Sequence, residues 1–282
     1  MKLLYLGTSA SEGIPALFCS CPVCQYAREK QGKNIRTRCQ ALLDGKILFD
    51  FPPDSFSHYL GRDHSGFDLP AIRHVFITHS HSDHFYPEDL HMRRPPFIAS
   101  EPVEILHVYG NREVERRILG LQENDEAPCN NFIYAKPFEI INAEDYRITP
   151  LPALHKRDEE CLVYAVEQGG RNLLYAHDTG IFPEPVWGYF IKEKLHFDLI
   201  SLDCTWMTGK DGLNHMGIPD CADLRKRLIS IGSADAKTVF VLNHFSHNGG
   251  LNHDELCEIA EKDGFIVSWD GMEIEIPAPA IP

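Results

Sequence analysis

The sequence lacks any apolar stretch approaching the roughly 20 residues that a membrane-spanning helix needs. Its N-terminus, MKLLYLGTS, carries an apolar run too short for the core of a secretion signal, with Gly7 and Thr8 directly behind it. The reading is a cytoplasmic protein with no membrane partner. Basic residues are outnumbered, 27 Lys and Arg against 41 Asp and Glu, for a formal net charge of −14. A large nucleic-acid footprint needs clustered cations, so nucleic acid is not an expected partner. A small anionic substrate remains compatible, because bound metal ions reverse the local sign of a site. No repeat, low-complexity tract or linker breaks the chain. The length and a hydrophobic content of 43% fit a single domain spanning residues 1–282 with a sizeable core.

Cysteine is present in an odd number, nine. A disulfide scaffold does not suit a cytoplasmic chain of this size. Six cysteines are scattered (Cys39, Cys129, Cys161, Cys204, Cys221 and Cys257) and read as small buried hydrophobes. The other three crowd into CSCPVC, as Cys19, Cys21 and Cys24. Thiolates so close together in a reducing compartment read as a structural zinc site that still needs a fourth ligand.

Strand-like segments recur along the chain: KLLYLG, ALLDGKILFDF, IRHVFITH, EILHVYG, YRITPLPALH, CLVYAVEQ, NLLYAHD, FDLISLDCTW, TVFVLNHF and FIVSWDGMEIEI. Helical patterns fall near Pro53–Leu60, Glu113–Leu121, Pro183–Lys192, Pro219–Ile229 and Asp254–Lys262. Pro183 and Pro219 suit helix starts, and Asp254 suits a cap. The early strands read as hairpins and the later ones alternate with helices. That order suggests sheets packed face to face with helices outside, an α/β class. The tail IPAPAIP reads as a loose extended end.

One cluster stands apart. THSHSDH, Thr78–His84, puts three histidines and an aspartate at the end of an apolar strand. In an extended chain His79, His81 and Asp83 share a face. A turn into a helix at Asp83 would bring His84 round to them. Imidazoles and carboxylates converging at a strand end suit divalent transition metals.

This motif resembles the signature of the metallo-β-lactamase fold hydrolases. The resemblance extends through PLPALH, LLYAHDTG and VFVLNHFSH and covers nearly the whole chain. It implies a four-layer αββα sandwich. It implies that His79, His81 and His155 hold one ion, and that Asp83, His84 and His244 hold a second. Asp178 would bridge the pair, and Asp50 would orient a ligand histidine. His177, beside Asp178 on the opposite strand face, reads as structural. Imidazole with carboxylate accepts Zn²⁺, Mn²⁺ or Fe²⁺. Two such ions about 3.5–4 Å apart activate a shared water and hold a developing oxyanion.

GTSASEGIP followed by the cysteine trio is similar to the PhnP branch of that family, the phosphoribosyl cyclic phosphodiesterases. By that resemblance His247 completes a zinc site with Cys19, Cys21 and Cys24. His215, in GLNHMGIPD, would hydrogen-bond the phosphoryl oxygen or protonate the leaving alkoxide. Asp83 would position the nucleophile while ligating. The implied reaction is hydrolysis of a small, cyclic phosphodiester to a phosphomonoester by metal-bound hydroxide. Lys156, Arg157, Arg93 and Arg94 are candidate phosphate contacts. The expected partners are a small phosphate-ester substrate and a second copy of the chain as a homodimer. Thioester or lactam hydrolysis is one competing reading, which by the resemblance the cysteine trio with His247 disfavours, and two more stand beside it. One is tRNA 3′-end processing, which the negative charge and the want of a Gly- and Lys-rich arm disfavour. The other is a non-catalytic carrier of the PqqB type, which the full ligand set disfavours.

Overall fold

The computed structural model describes residues 1–61, 67–99, 104–121 and 129–276. Among them are fourteen strands in two seven-stranded sheets. The first sheet is built from β1 (Lys2–Gly7), β2 (Gln40–Leu43), β3 (Ile47–Phe49), β4 (His74–Phe76), β5 (Leu106–Gly110), β6 (Asn130–Tyr134) and β14 (Met272–Glu275), in the order β14-β1-β2-β3-β4-β5-β6. The second contains β7 (Ile141–Ala143), β8 (Tyr146–Pro152), β9 (Leu162–Gln168), β10 (Arg171–Ala176), β11 (Leu199–Asp203), β12 (Val239–Asn243) and β13 (Ile266–Val267). Its order is β13-β12-β11-β10-β9-β8-β7. The helices are α1 (Pro22–Lys30), α2 (Ser55–Leu60), α3 (Arg112–Leu119), α4 (Glu184–Glu193), α5 (Ile218–Ser230) and α6 (His253–Ala260).

Strand alternation sorts the core into layers. On β10, Leu173 and Tyr175 face the other sheet, while Leu174 and Ala176 face the helices. Tyr5, Phe49, Phe76, Tyr164 and Tyr175 fill the space between the sheets, and Phe49 stacks on Tyr175 across it at 4.5 Å. Val23, Trp187, Leu224 and Leu256, one each from α1, α4, α5 and α6, cover the second sheet. Val114 and Ile118 of α3 cover the first. The result is the expected αββα sandwich. Among the described residues no helix is long and apolar enough to cross a membrane.

Pairing departs from the sequence expectation in one respect. Only β1, β2, β3 and β14 pair antiparallel in the first sheet; β3-β4-β5-β6 run parallel. In the second sheet β10-β11-β12-β13 are parallel. The apolar runs of LISLD and VFVLN, buried on both faces, are what parallel strands require. Parallel strands open at their C-terminal ends, where ligands of α/β sheets gather. Asp50, THSHSDH, Asp178, Asp203 and His244 all stand at such ends. Two further details differ from expectation. Asn252, not Asp254, caps α6, accepting from Glu255 N at 3.1 Å in a capping box. The CPVC segment starts α1, which the sequence reading left unassigned. Past Ile276, the extended end expected for IPAPAIP lies outside the described residues.

Candidate metal centre

β4 ends at Phe76, so His79–His84 lie in a loop, not an extended strand. His84 N and Phe85 N donate to His81 O at 3.0 and 2.7 Å. This turn, with no helix after it, splits the motif. His79 and His81 fall on one side, Asp83 and His84 on the other. Ligand atoms of His79, His81, His155 and Asp178 lie within 4.8 Å of one another, and so do those of Asp83, His84, Asp178 and His244. Asp178 belongs to both groups. Its Oδ2 is 3.2 Å from His79 Nε2 and 3.3 Å from His84 Nε2, and its Oδ1 is 3.2 Å from His155 Nδ1.

Two carboxylates hold histidines from behind. Asp50 Oδ2 accepts from His84 Nδ1 at 2.7 Å, while its Oδ1 accepts from Thr78 N and Oγ1 at 2.8 and 2.9 Å. Each His84 and His244 ring thus turns Nε2 to the centre. Asp203 faces His244 Nδ1 at 3.1 Å and accepts from Met216 N at 2.7 Å; the Thr205 hydroxyl lies 2.8 Å from the same ring nitrogen. Asp203 escaped the sequence reading. Its signal was its place at the end of an apolar strand, FDLISLD, matching Asp50 in ILFDF.

The electrostatics follow from crowding. Burial alone would raise the Asp178 and Asp203 carboxyls, but the surrounding histidines hold both well below the usual range. Burial alone would lower His84, but Asp50 and Asp83 hold it well above. Burial lowers His155 to about 4. His215 would also be lowered by burial, yet Asp178 and Asp203 raise it to about 10. Its Nδ1 stands 3.0 Å from Asp178 Oδ1 and 3.6 Å from Asp203 Oδ2.

These groups fit divalent cations. His79 Nε2 and Asp178 Oδ1 are buried and make no well-aligned hydrogen bond, though ionisable partners stand 3.0–3.2 Å away, a costly state that a cation between them relieves. Ring nitrogens of His84 and His244 face each other at 3.1 Å, and those of His81 and His155 at 3.2 Å. Imidazole and carboxylate are the donors that Zn²⁺ and Mn²⁺ accept.

Three strand-end residues, Asp50, Asp178 and His244, adopt left-handed backbone, with φ of 62°, 52° and 63°. Such conformations cost on the order of 1 kcal/mol or more each and persist where the surroundings over-determine them. Beneath them runs a fully buried polar layer. Asn243 Nδ2 donates to Cys39 Sγ at 3.3 Å and lies 3.2 Å from His177 Nδ1; Cys39 Sγ is 3.3 Å from that same nitrogen. His177 Nε2 meets Ser201 Oγ at 2.7 Å, and Ser268 Oγ donates to Asn243 Oδ1 at 2.6 Å. His177 therefore points into the core, as strand alternation requires. Cys39 is a polar participant there, unlike an inert core thiol.

Apart from this centre, Cys19, Cys21, Cys24 and His247 also place one ligand atom each within 4.8 Å of the rest. His247 Nδ1 is 3.4 Å from Cys21 Sγ and 3.6 Å from Cys19 Sγ. Burial would raise the Cys21 thiol, but hydrogen bonds from the Cys24 backbone and from His247 bring it down to about 6. Glu12, unnoticed in the sequence, stands 3.6 Å from His247 Nε2 and accepts from Ser246 Oγ. A carboxylate behind a ligating imidazole fixes its ring.

The basic candidates separate. Lys156 is committed to the buried Glu159 at 3.0 Å. Arg93 donates to Glu104 O and Arg94 to His91. Arg157 is exposed, two residues past His155.

The fold and the clustered ligands define a class: an αββα protein whose parallel strand ends gather metal-binding side chains. The model of the Beta-lactamase superfamily domain matches residues 46–245, well over half of the chain, and the chain belongs to that family, whose members are mostly metal-dependent hydrolases. Among solved structures the chain is similar to a new diphosphatase from the PhnP family, at 22% identity and a TM-score of 0.72, covering 98% of each chain. It is also similar to Zn²⁺-bound PqqB from Methylobacterium extorquens, at 16% identity and a TM-score of 0.70, covering 98% of this chain and 100% of that one. At such identities the likeness is one of fold. A curated octanoyltransferase from Porphyromonas gingivalis is 33% identical over 86 residues, which span 30% of this chain and only 16% of that protein.

Proposed function

We propose that this protein is a two-metal phosphodiesterase that hydrolyses a small, cyclic phosphate ester to a phosphomonoester. The observation that carries the reading is Asp178, a carboxylate whose two oxygens are shared between two separate ligand groups and which also touches His215. His79, His81 and His155 would hold one ion, Asp83, His84 and His244 the other, and Asp178 both. Bound there, the ions supply an activated water and a Lewis acid for a phosphoryl oxygen. Cys19, Cys21, Cys24 and His247 would hold a structural Zn²⁺.

The chain's own residues do the rest. Asp50 and Asp203 orient His84 and His244. His215, whose Nδ1 stands 3.0 Å from Asp178 Oδ1 and whose imidazole Asp178 and Asp203 raise, is placed to give a proton to a leaving oxygen. Arg157 is the basic residue near His155 left to meet a phosphate, since Lys156 is paired. The likeness of fold to a PhnP-family diphosphatase supports phosphorus as the reacting centre and adds a P–O–P linkage to the substrates worth trying.

Metal analysis and turnover test this together. Purified protein should carry about three ions per chain and hydrolyse bis(p-nitrophenyl) phosphate. Asp178→Ala should abolish that turnover, because both ligand groups lose their common member. Wild-type turnover in the variant, or about one ion per chain in the native protein, overturns the reading; the latter outcome fits a PqqB-like carrier.

A further inference from the structure

Three exposed apolar residues, Trp206, Leu213 and Leu154, stand on segments tied to the metal-ligand groups. Trp206 follows Thr205, whose hydroxyl touches His244 Nδ1. Its indole meets the His215 ring edge-on, centroids 6.2 Å apart at 82°, and His215 in turn touches Asp178. Despite that contact Trp206 remains 38% exposed, and its backbone N donates to Met216 O at 3.0 Å. Two other segments carry Leu213, 63% exposed, and Leu154, 41% exposed. Both segments are tied to the centre. His155 Nδ1 lies 3.2 Å from Asn214 O, and Gly180 N donates to Leu154 O at 2.7 Å. The Leu213 carbonyl rests against Gly180, leaving no room there for a Cβ.

A single exposed apolar residue needs no explanation. An indole packed edge-on against His215, the side chain that the reading above places at the leaving group, is a different matter. We propose that Trp206, with Leu154 and Leu213 exposed on segments tied to the same centre, is a stacking subsite for a planar heteroaromatic ring carried by the substrate, so that the ester hydrolysed is a nucleotide-sized phosphodiester and not a bare sugar phosphate. This deepens the phosphodiesterase reading and rests on it. The ring would lie beyond His215, on the leaving-group side of the phosphate. Base–aromatic stacking tolerates any base, so the subsite selects for a ring and not for a sequence. A polynucleotide occupant is disfavoured by the chain's net charge of −14, because backbone tracking requires a basic groove.

The test compares the 2′,3′-cyclic phosphates of adenosine and of methyl riboside, which differ only in the presence of the base. Metal-loaded wild-type protein should prefer the adenosine compound, with the gain mainly in KM. Trp206→Ala should cut the ratio of the two kcat/KM values by about tenfold to a hundredfold, and Trp206→Phe should restore most of it. Leu213→Ser, at an exposed position, should lower the ratio less. Adding 3′-AMP should quench indole fluorescence in the wild type, and much less in Trp206→Phe. Equal turnover of the two compounds, or a ratio untouched by Trp206→Ala in a folded variant, overturns the subsite and leaves the phosphodiesterase intact. No turnover of either compound, or of bis(p-nitrophenyl) phosphate, overturns both. A variant whose only change is in oligomeric state overturns the subsite in favour of a contact between copies.

Discussion

Glu159 shows how much one side chain does here. It sits four residues past His155 and reaches back between the first two histidines. Ser80 N and Ser80 Oγ donate to it at 2.7 Å, Asn111 Nδ2 at 2.8 Å and Lys156 Nζ at 3.0 Å. Burial would raise its carboxyl, but these donors bring it down to about 2. A carboxylate depressed in the folded state stabilises above its ordinary pKa and loses that contribution as pH falls toward the folded value. Glu159→Gln should therefore cost about 1–3 kcal/mol at pH 7. The gap between the melting curves of wild type and variant should close as the pH drops from about 4.5 toward 2. A gap that widens on acidification would assign the stabilisation elsewhere. The residues that carry chemistry by type were legible without coordinates: His79 and His81 stand out by identity and spacing, while His155, Asp178 and His244 were marked by the family resemblance. Asp203, Glu159 and Glu12 did not, since a lone acid beside a strand or in a polar loop has no periodicity to mark it. Lys156 illustrates the converse: its charge was visible, but its commitment to Glu159 was not.

At the scale of elements, strand and helix positions followed from apolar patterning, and the errors came where partners decide. Whether two neighbouring strands form a hairpin or run parallel depends on what covers them, which ALLDGKILFDF and IRHVFITH do not state locally. Likewise THSHSDH reads as extended, but the turn bonds to His81 O reshape it. Two predictions belong here. Gly217, at the N-terminus of α5, has its backbone against the Gly209 carbonyl, where a methyl would overlap. Gly217→Ala must displace the loop that presents His215. The expected result is a fall in kcat with metal content retained; unchanged kcat would show that the loop adapts freely. The second concerns α1, whose N-cap is Cys21 and which therefore begins inside the cysteine group. Cys21→Ser should lose one zinc per chain and lower the melting temperature by more than it lowers activity, because metal binding adds to folding free energy. An unaltered melting temperature would mean that the four ligands hold no ion.

For the molecule as a whole, the decisive arrangement is that the ligand groups draw on both sheets. THSHSDH follows a strand of the first sheet, while His155, Asp178 and His244 follow strands of the second. Neither half can assemble either group by itself. Of the ligand clusters at these strand ends, only Asp178, Asp203, His215 and His244 come from the second half alone, so the two groups that share Asp178 with THSHSDH exist only after the sheets have docked. Once the halves dock, an ion held in each of those two groups would fasten them at their open ends like a clasp, so full loading should report that assembly is finished.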